Sequence, residues 1–277
     1  MKFKPTQKAA AIVTGAGSGI GRAFAYELAR RGGKVICADI NLDHAQETAN
    51  KIIQEFGDKA FAVQCDVSNE EQVQLLASHA EHLLQEKLTL VINNAGIGSA
   101  GKVGDTPIAD WRAVMNVNLW GVVYGCHYFL PVLKRNGRGG IINVASAAGF
   151  AGAPTLAAYG VSKAGVIALS ETMAAELADA NIKVNVLCPT MVPTNIVTNS
   201  RNSGRISSEL VEKSDIAFNK FVFTTTEAVV KKTLDNLDAG KLYTIPQVDA
   251  KLLWLAKRTS PSLYAKSIGF LSRKYMG

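Results

Sequence analysis

Short apolar runs alternate along the chain with longer stretches in which apolar residues recur every three or four positions. The runs Ala9–Val13, Lys34–Ala38, Ala60–Gln64, Leu88–Ile92, Gly140–Val144, Lys183–Leu187 and Lys241–Ile245 read as strands. The segments of about 20–31, 43–56, 69–86, 107–134 and 155–180 read as amphipathic helices. Such alternation builds βαβ units and therefore a parallel sheet with helices on both faces. Several of the strands are apolar throughout, as a sheet buried on both sides requires. With no internal repeat and no low-complexity linker, residues 1–245 are expected to form one α/β domain of about seven strands. Two stretches break the rhythm. Residues 190–225 are rich in Asn, Ser and Thr, and residues 246–277 carry two short helical patterns separated by Pro261, a helical extension of the same domain.

Composition narrows the class. Of 277 residues, 48% are hydrophobic and 19% charged, enough apolar material for a large core and too little charge for a disordered chain. No apolar run reaches the ~20 residues of a membrane-spanning helix. The polar stretch Met1–Lys8 carries no signal-peptide core, so a cytoplasmic location is expected. Cys37, Cys65, Cys126 and Cys188 form no C-x-x-C pair and read as reduced core thiols. His44, His79, His82 and His127 have no ligand spacing with them, so no metal site is expected. The net charge of +7 invites a nucleic-acid reading, but its distribution argues against one. From Lys241 to Gly277 there are seven basic residues and one acid, 7 − 1 = +6, and the rest of the chain is nearly neutral. The basicity needs a local explanation.

The first strand runs into Thr14-Gly15-Ala16-Gly17-Ser18-Gly19-Ile20-Gly21-Arg22. A strand feeding a glycine-rich turn and then a helix is the context for binding a dinucleotide pyrophosphate. Gly15 permits the tight turn, Gly19 a close backbone approach, and Gly21 close helix packing. Ser18 and Ile20 stand at the helix N-terminus, whose free N–H groups and dipole favour phosphate. Asp39 ends the next strand, where a carboxylate accepts bonds from ribose hydroxyls and repels a 2′-phosphate. NAD is therefore expected over NADP. Arg22 lies one turn into the helix. Asp66-Val67 is expected near the adenine. Asn93-Asn94-Ala95-Gly96 suits a tight turn that admits a ribose, with Asn93, Ala95 and Gly96 as candidate contacts.

Tyr159 and Lys163 are four apart in a helical segment, hence one turn apart on one face. A neighbouring ammonium is expected to lower the phenol pKa so that tyrosine exchanges a proton with an alcohol or a carbonyl. Ser146 follows a strand and projects at the sheet edge where ligands of open parallel sheets bind, placed to hold a substrate oxygen. Asn118, an amide in an apolar helix, needs buried partners. It either holds a water serving Lys163 or is purely structural, and Asn116 competes for the role.

In this order and spacing the motifs resemble the short-chain dehydrogenase/reductase superfamily over nearly all of residues 8–245. The resemblance implies a doubly wound Rossmann fold and catalytic roles for Ser146, Tyr159, Lys163 and Asn118. It also implies a homodimer or homotetramer packed through the helices at about 107–134 and 155–180. Lys163 would also contact the nicotinamide ribose and Thr194 the carboxamide, with Tyr159, Pro189 and Val192 as further candidate cofactor contacts. One departure stands out. The family's Pro-Gly is here Pro189-Thr190, and threonine does not take glycine-like backbone angles cheaply.

Residues 191–225 match the family's substrate lid, with Met191, Val192, Ile196, Val197 and Phe218 as an apolar inner face. Ser146, Ala148, Ala153, Tyr159 and Met191 are the candidate substrate contacts, which implies an apolar body bearing one secondary alcohol or ketone. The expected activity is NAD(H)-dependent alcohol–ketone interconversion. The alternatives are an NADP(H)-dependent carbonyl reductase and a non-catalytic dinucleotide sensor on the same fold. In the tail, Leu252, Leu253, Trp254 and Leu255, then Leu263, Tyr264, Ile268, Leu271 and Tyr275, are punctuated by Lys and Arg. This basic amphipathic extension either covers the protein's own surface or a partner subunit, the simpler role, or makes peripheral membrane contact through residues 249–277.

Overall fold

A computed structural model of the chain describes residues 3–190, 192, 201–202 and 224–276. The strands are β1 (Ala10–Thr14), β2 (Lys34–Asp39), β3 (Ala60–Gln64), β4 (Leu90–Asn93), β5 (Ser99–Ala100), β6 (Gly139–Val144), β7 (Ile182–Leu187), β8 (Arg201–Asn202) and β9 (Tyr243–Thr244). Seven form a parallel sheet in the order β3-β2-β1-β4-β6-β7-β9. The order reverses between β1 and β4, the switch point that opens a crevice at the carboxyl ends of a doubly wound sheet. β5 and β8 pair separately.

The helices are α1 (Gly19–Arg30), α2 (Leu42–Phe56), α3 (Glu70–Leu84), α4 (Ile108–Met115), α5 (Gly121–Arg135), α6 (Ala148–Ala151), α7 (Ala157–Glu176), α8 (Thr226–Asp238), α9 (Val248–Thr259) and α10 (Pro261–Met276). Asn41 and Asn69 start α2 and α3 by accepting the N–H groups of His44 and Gln72, the N-capping that short polar side chains provide. Alternate residues of each central strand serve two cores. Ile12 and Ile36 face a cluster closed by Leu76, Phe129 and Val166. Val13 and Val35 face one closed by Phe24, Leu28 and Leu234.

The sequence reading named no α6, α8, β5 or β8; the spans it did name match within a few residues, apart from two differences. The expected helix of 107–134 is interrupted by a π-helical turn, Asn116–Trp120, which carries Asn118. The last strand shrinks to Tyr243–Thr244 at the sheet edge, where Pro246 offers no N–H to a ladder. The extension is two helices, as expected, and α9 packs on α6.

Candidate active site

The glycine turn is set by sterics. Gly15 has φ +64°, and a Cβ there would stand 2.8 Å from Ala95 Cα. At Gly21 a Cβ would lie 2.1 Å from Gly15 O, so only glycine lets α1 sit this close to the turn. Gly19 adopts φ +52°, a left-handed conformation beyond the close approach foreseen for it. Ser18 is the N-cap of α1 but makes no side-chain capping bond, and no acid occupies the first turn. The N–H groups and the positive end of the helix dipole, beside half-buried Ile20, are thus left to an anion.

Two residues outside the candidate set complete this half. Gly17 donates its N–H to Asp39 Oδ2 at 2.8 Å. Asn94 donates from its amide to Thr14 O (2.9 Å) and Gly15 O (3.2 Å), tying the end of β4 to the turn. Successive strand residues face opposite ways. The Asn93 side chain is accordingly turned into the core, donating to Asn143 Oδ1 at 2.9 Å, while half-buried Ala95 and Gly96 line the turn. In the NNAG segment, then, Asn94 supplies the amide at the crevice. Asp39 Oδ1 also accepts from Asn41 N–H at 3.0 Å. A carboxylate has about four lone-pair sites, so two bonds leave acceptor capacity. Arg22, the nearest cation in sequence, is held by Gly17 O, by Thr48 Oγ1 (3.0 Å) and by Glu47 (3.0 Å). Asp66 accepts from Ser68 N–H and Oγ–H, and the Val67 side chain packs beside Gly121.

The second half is assembled across the sheet. Ser146 follows β6. Its Oγ accepts from Ala148 N–H at 3.2 Å, donates weakly to Pro189 O at 3.4 Å and faces the Tyr159 hydroxyl closely enough to favour its ionised form. Lys163 is 2% exposed, and its Nζ donates to Val144 O at 2.9 Å and stands 5.8 Å from the Tyr159 ring centre. Burial pulls the ammonium down to about 8. Burial also pushes the Tyr159 phenol up from its ordinary value, opposed by Ser146. This corrects the expectation of a lowered phenol pKa. Desolvation of the phenol outweighs the lowering contributed by Ser146, and the nearby ammonium is itself bound to a backbone carbonyl.

Asn118 is fully buried, whereas Asn116 is exposed. The Asn118 amide accepts from Ile97 N–H (2.8 Å) and donates to Ile97 O (2.9 Å) and Ser162 Oγ (3.3 Å). A Cβ at Gly96 would fall 3.2 Å from Asn118 Oδ1 and 3.4 Å from Lys163 Nζ, so both groups border one small space.

Beyond β7, Pro189 is buried and Val192 packs into the second core. Thr190 is absent from the left-handed residues, so the chain avoids the strain a glycine-like path would impose. Its N–H donates to Gln247 Oε1 (3.2 Å) and its hydroxyl to Asp249 Oδ1 (3.3 Å), fastening it to the start of α9. Ala148 and Ala153 are half-buried around the triad. Met191, Thr194, Ile196, Val197 and Phe218 lie outside the described residues.

Comparison with known proteins agrees with this architecture. Residues 9–204 match the short chain dehydrogenase family. The chain is 42% identical over 188 residues to the "Probable oxidoreductase EphD" of Mycobacterium tuberculosis (strain ATCC 25618 / H37Rv), covering 67% of this chain but 31% of that protein. The chain thus spans about a third of that relative's length. It is 37% identical to the cyclohexanol dehydrogenase of Acinetobacter sp. (strain SE19), over 68% of this chain and 74% of that one. A crystal structure of a short chain dehydrogenase/reductase from Burkholderia phymatum in complex with NAD superposes with TM-score 0.83 at 29% identity, covering 94% of this chain and 96% of that one. The fold is the Rossmann fold of these enzymes, and the chain belongs to the short-chain dehydrogenase/reductase family.

Proposed function

We propose that the protein interconverts a secondary alcohol and a ketone on a largely apolar substrate, with NAD(H) as cofactor. The convergence of Ser146, Tyr159 and Lys163 at the sheet edge that bears the glycine turn carries this reading.

The turn fits a dinucleotide. A pyrophosphate would lie against the uncapped start of α1, which the glycines at 15 and 21 allow to pack close to the turn. Gly19, Ser18 and Ile20 frame it. Asp39 takes the adenosine ribose hydroxyls, with Asp66 and Val67 toward the adenine and Ala95 and Gly96 beside the nicotinamide half. Asn93 supports that segment from the core, and Pro189, Val192 and Thr194 belong to the chain flanking the nicotinamide. Asp39 disfavours a 2′-phosphate, and Glu47 already occupies Arg22, the cation that would otherwise offset it. When bound, NAD exchanges a hydride with the substrate carbinol carbon.

The chain's own residues do the rest. Tyr159 gives its proton to the carbonyl oxygen in reduction and takes one from the alcohol in oxidation. Ser146 turns its weak bond from Pro189 O to that same oxygen, where charge develops, while Ala148 N–H fixes the hydroxyl. The Lys163 ammonium opposes the desolvation that disfavours phenolate and reaches the nicotinamide ribose. Asn118 holds Ile97 and the space beside Lys163, where a water relays protons. Ala148, Ala153 and Met191 contact the apolar body of the substrate. The protein assembles as a homodimer or homotetramer through the segments 107–134 and 155–180, where Trp120 and Val161 are exposed.

Screening NAD+ reduction against a panel of secondary alcohols tests the reaction, and titration of NADH against NADPH tests the cofactor. Tyr159→Phe is expected to lower turnover by at least ~100-fold while NADH binding, followed by fluorescence, is unchanged. Normal turnover in Tyr159→Phe removes the tyrosine from the mechanism. A preference for NADPH overturns the role given to Asp39.

A further inference from the structure

The two C-terminal helices have two faces. The inner face covers the protein's own surface: Ala250 is fully buried, Trp254 packs on Tyr243, and the Tyr264 hydroxyl donates to Ala151 O at 2.7 Å. The outer face is apolar and open. Val248, Leu252 and Leu255 in α9, and Leu263 and Phe270 in α10, are between 51% and 71% exposed. Their spacings of four, three and seven residues place them along one stripe of each helix.

Each stripe is edged by cations at matching positions. Lys251 and Arg258 stand three and ten residues after Val248. Lys266 and Arg273 stand three and ten residues after Leu263. All four are exposed. Among the described residues, no carboxylate forms an ion pair with any of them. Arg258 is held over the Trp254 ring at 4.6 Å.

We propose that this face docks on an anionic phospholipid bilayer, with the stripes in the acyl boundary and the cations among the headgroups. Charge selects this occupant. A second copy placed on the same face would set Lys251, Arg258, Lys266 and Arg273 against their own counterparts, whereas anionic headgroups neutralise them. No helix of the described residues is long and apolar enough to cross a membrane, so the contact is peripheral. The extension also joins the catalytic region at two points, Tyr264 to Ala151 of α6 and Asp249 to Thr190. Docking therefore sets the substrate side of the enzyme at the bilayer surface, where an apolar substrate is concentrated.

Co-sedimentation of the full chain with vesicles tests this. The protein is expected to sediment with phosphatidylcholine vesicles that contain phosphatidylserine, to remain in solution with phosphatidylcholine alone, and to be released by raised salt. The triple variant Lys251→Glu, Lys266→Glu, Arg273→Glu is expected to lose at least about tenfold in partitioning, and Leu252→Ser with Phe270→Ser a comparable amount. Circular dichroism and the thermal midpoint check that the variants fold. If the charge reversal unfolds the chain, the salt titration of the unaltered protein and the serine pair decide. Absence of anionic-vesicle binding overturns the proposal, as does equal binding to both vesicle types. So does a serine pair that leaves sedimentation unchanged but dissociates an oligomer in ultracentrifugation, which assigns the face to a second copy.

Discussion

The glycine turn and the Ser146–Tyr159–Lys163 cluster share one sheet edge but are built by opposite means. In the turn, contacts within a short stretch set the geometry: positive φ at Gly15 and Gly19, and no room for a Cβ at Gly21. Bonds from elsewhere add to this: Gly17 and Ala16 donate their N–H groups to Asp39 and Ala38 O, and Asn94 and Thr48 donate to the turn's carbonyls. The cluster takes its geometry from other elements. Lys163 is aimed by Val144 O of β6, Ser146 is bracketed by Ala148 and Pro189, and Asn118 is locked to Ile97. The turn is a matter of shape, and the cluster one of desolvated charge. Its ammonium is pulled down and its phenol pushed up because both are buried.

This difference can be broken at either side. The largest effect is expected at the turn. Gly21→Ala sets a Cβ against Gly15 O with nowhere to move, and should cost on the order of 3 kcal/mol in urea unfolding and abolish NADH binding. A fully stable, NADH-binding variant would mean that the turn is looser than its geometry.

A change of similar size, but dependent on pH, is expected at the cluster. The Lys163 pKa falls from 10.5 to about 8 on folding. Between those values the unfolded chain binds more protons, so stability rises with pH across this window. The stability of the unaltered protein relative to Lys163→Met should rise from pH 7.5 to pH 10.5 by at most about 3 kcal/mol. A flat difference would show that the ammonium stays solvated. The smallest effect is expected where the two halves meet the extension. Thr190→Gly removes one hydroxyl bond to Asp249 and frees the backbone, and should cost about 1 kcal/mol, read from the thermal midpoint. A stabilised variant would show that this link strains the chain.

Much of the site was legible in sequence because its signals are local. The turn lies between an apolar strand and a helix start, and Tyr159 and Lys163 are one helical turn apart. Which of two adjacent amides faces the crevice was harder to read. Asn93 and Asn94 look alike in sequence, and only the pairing of β4 with β1 and β6 decides that Asn94 reaches Thr14 and Gly15 while Asn93 enters the core. Asn118 and Asn116 differ in the same way, through the π-turn that buries one and exposes the other. Gly17 could have been found from the repeat of glycines, but its partner Asp39 comes from the next strand.

By itself, the sequence determined the alternation of strands and helices, the place of the glycine turn, the spacing of the tyrosine and lysine, and the basic amphipathic character of the tail. These rest on periodicity and backbone sterics, which act over a few residues. Tertiary structure alone decided the direction of the tyrosine pKa shift, the occupation of Arg22 by Glu47, the fastening of Thr190 to α9, and which face of the tail is covered. Those depend on desolvation and on partners far along the chain, which no local pattern specifies.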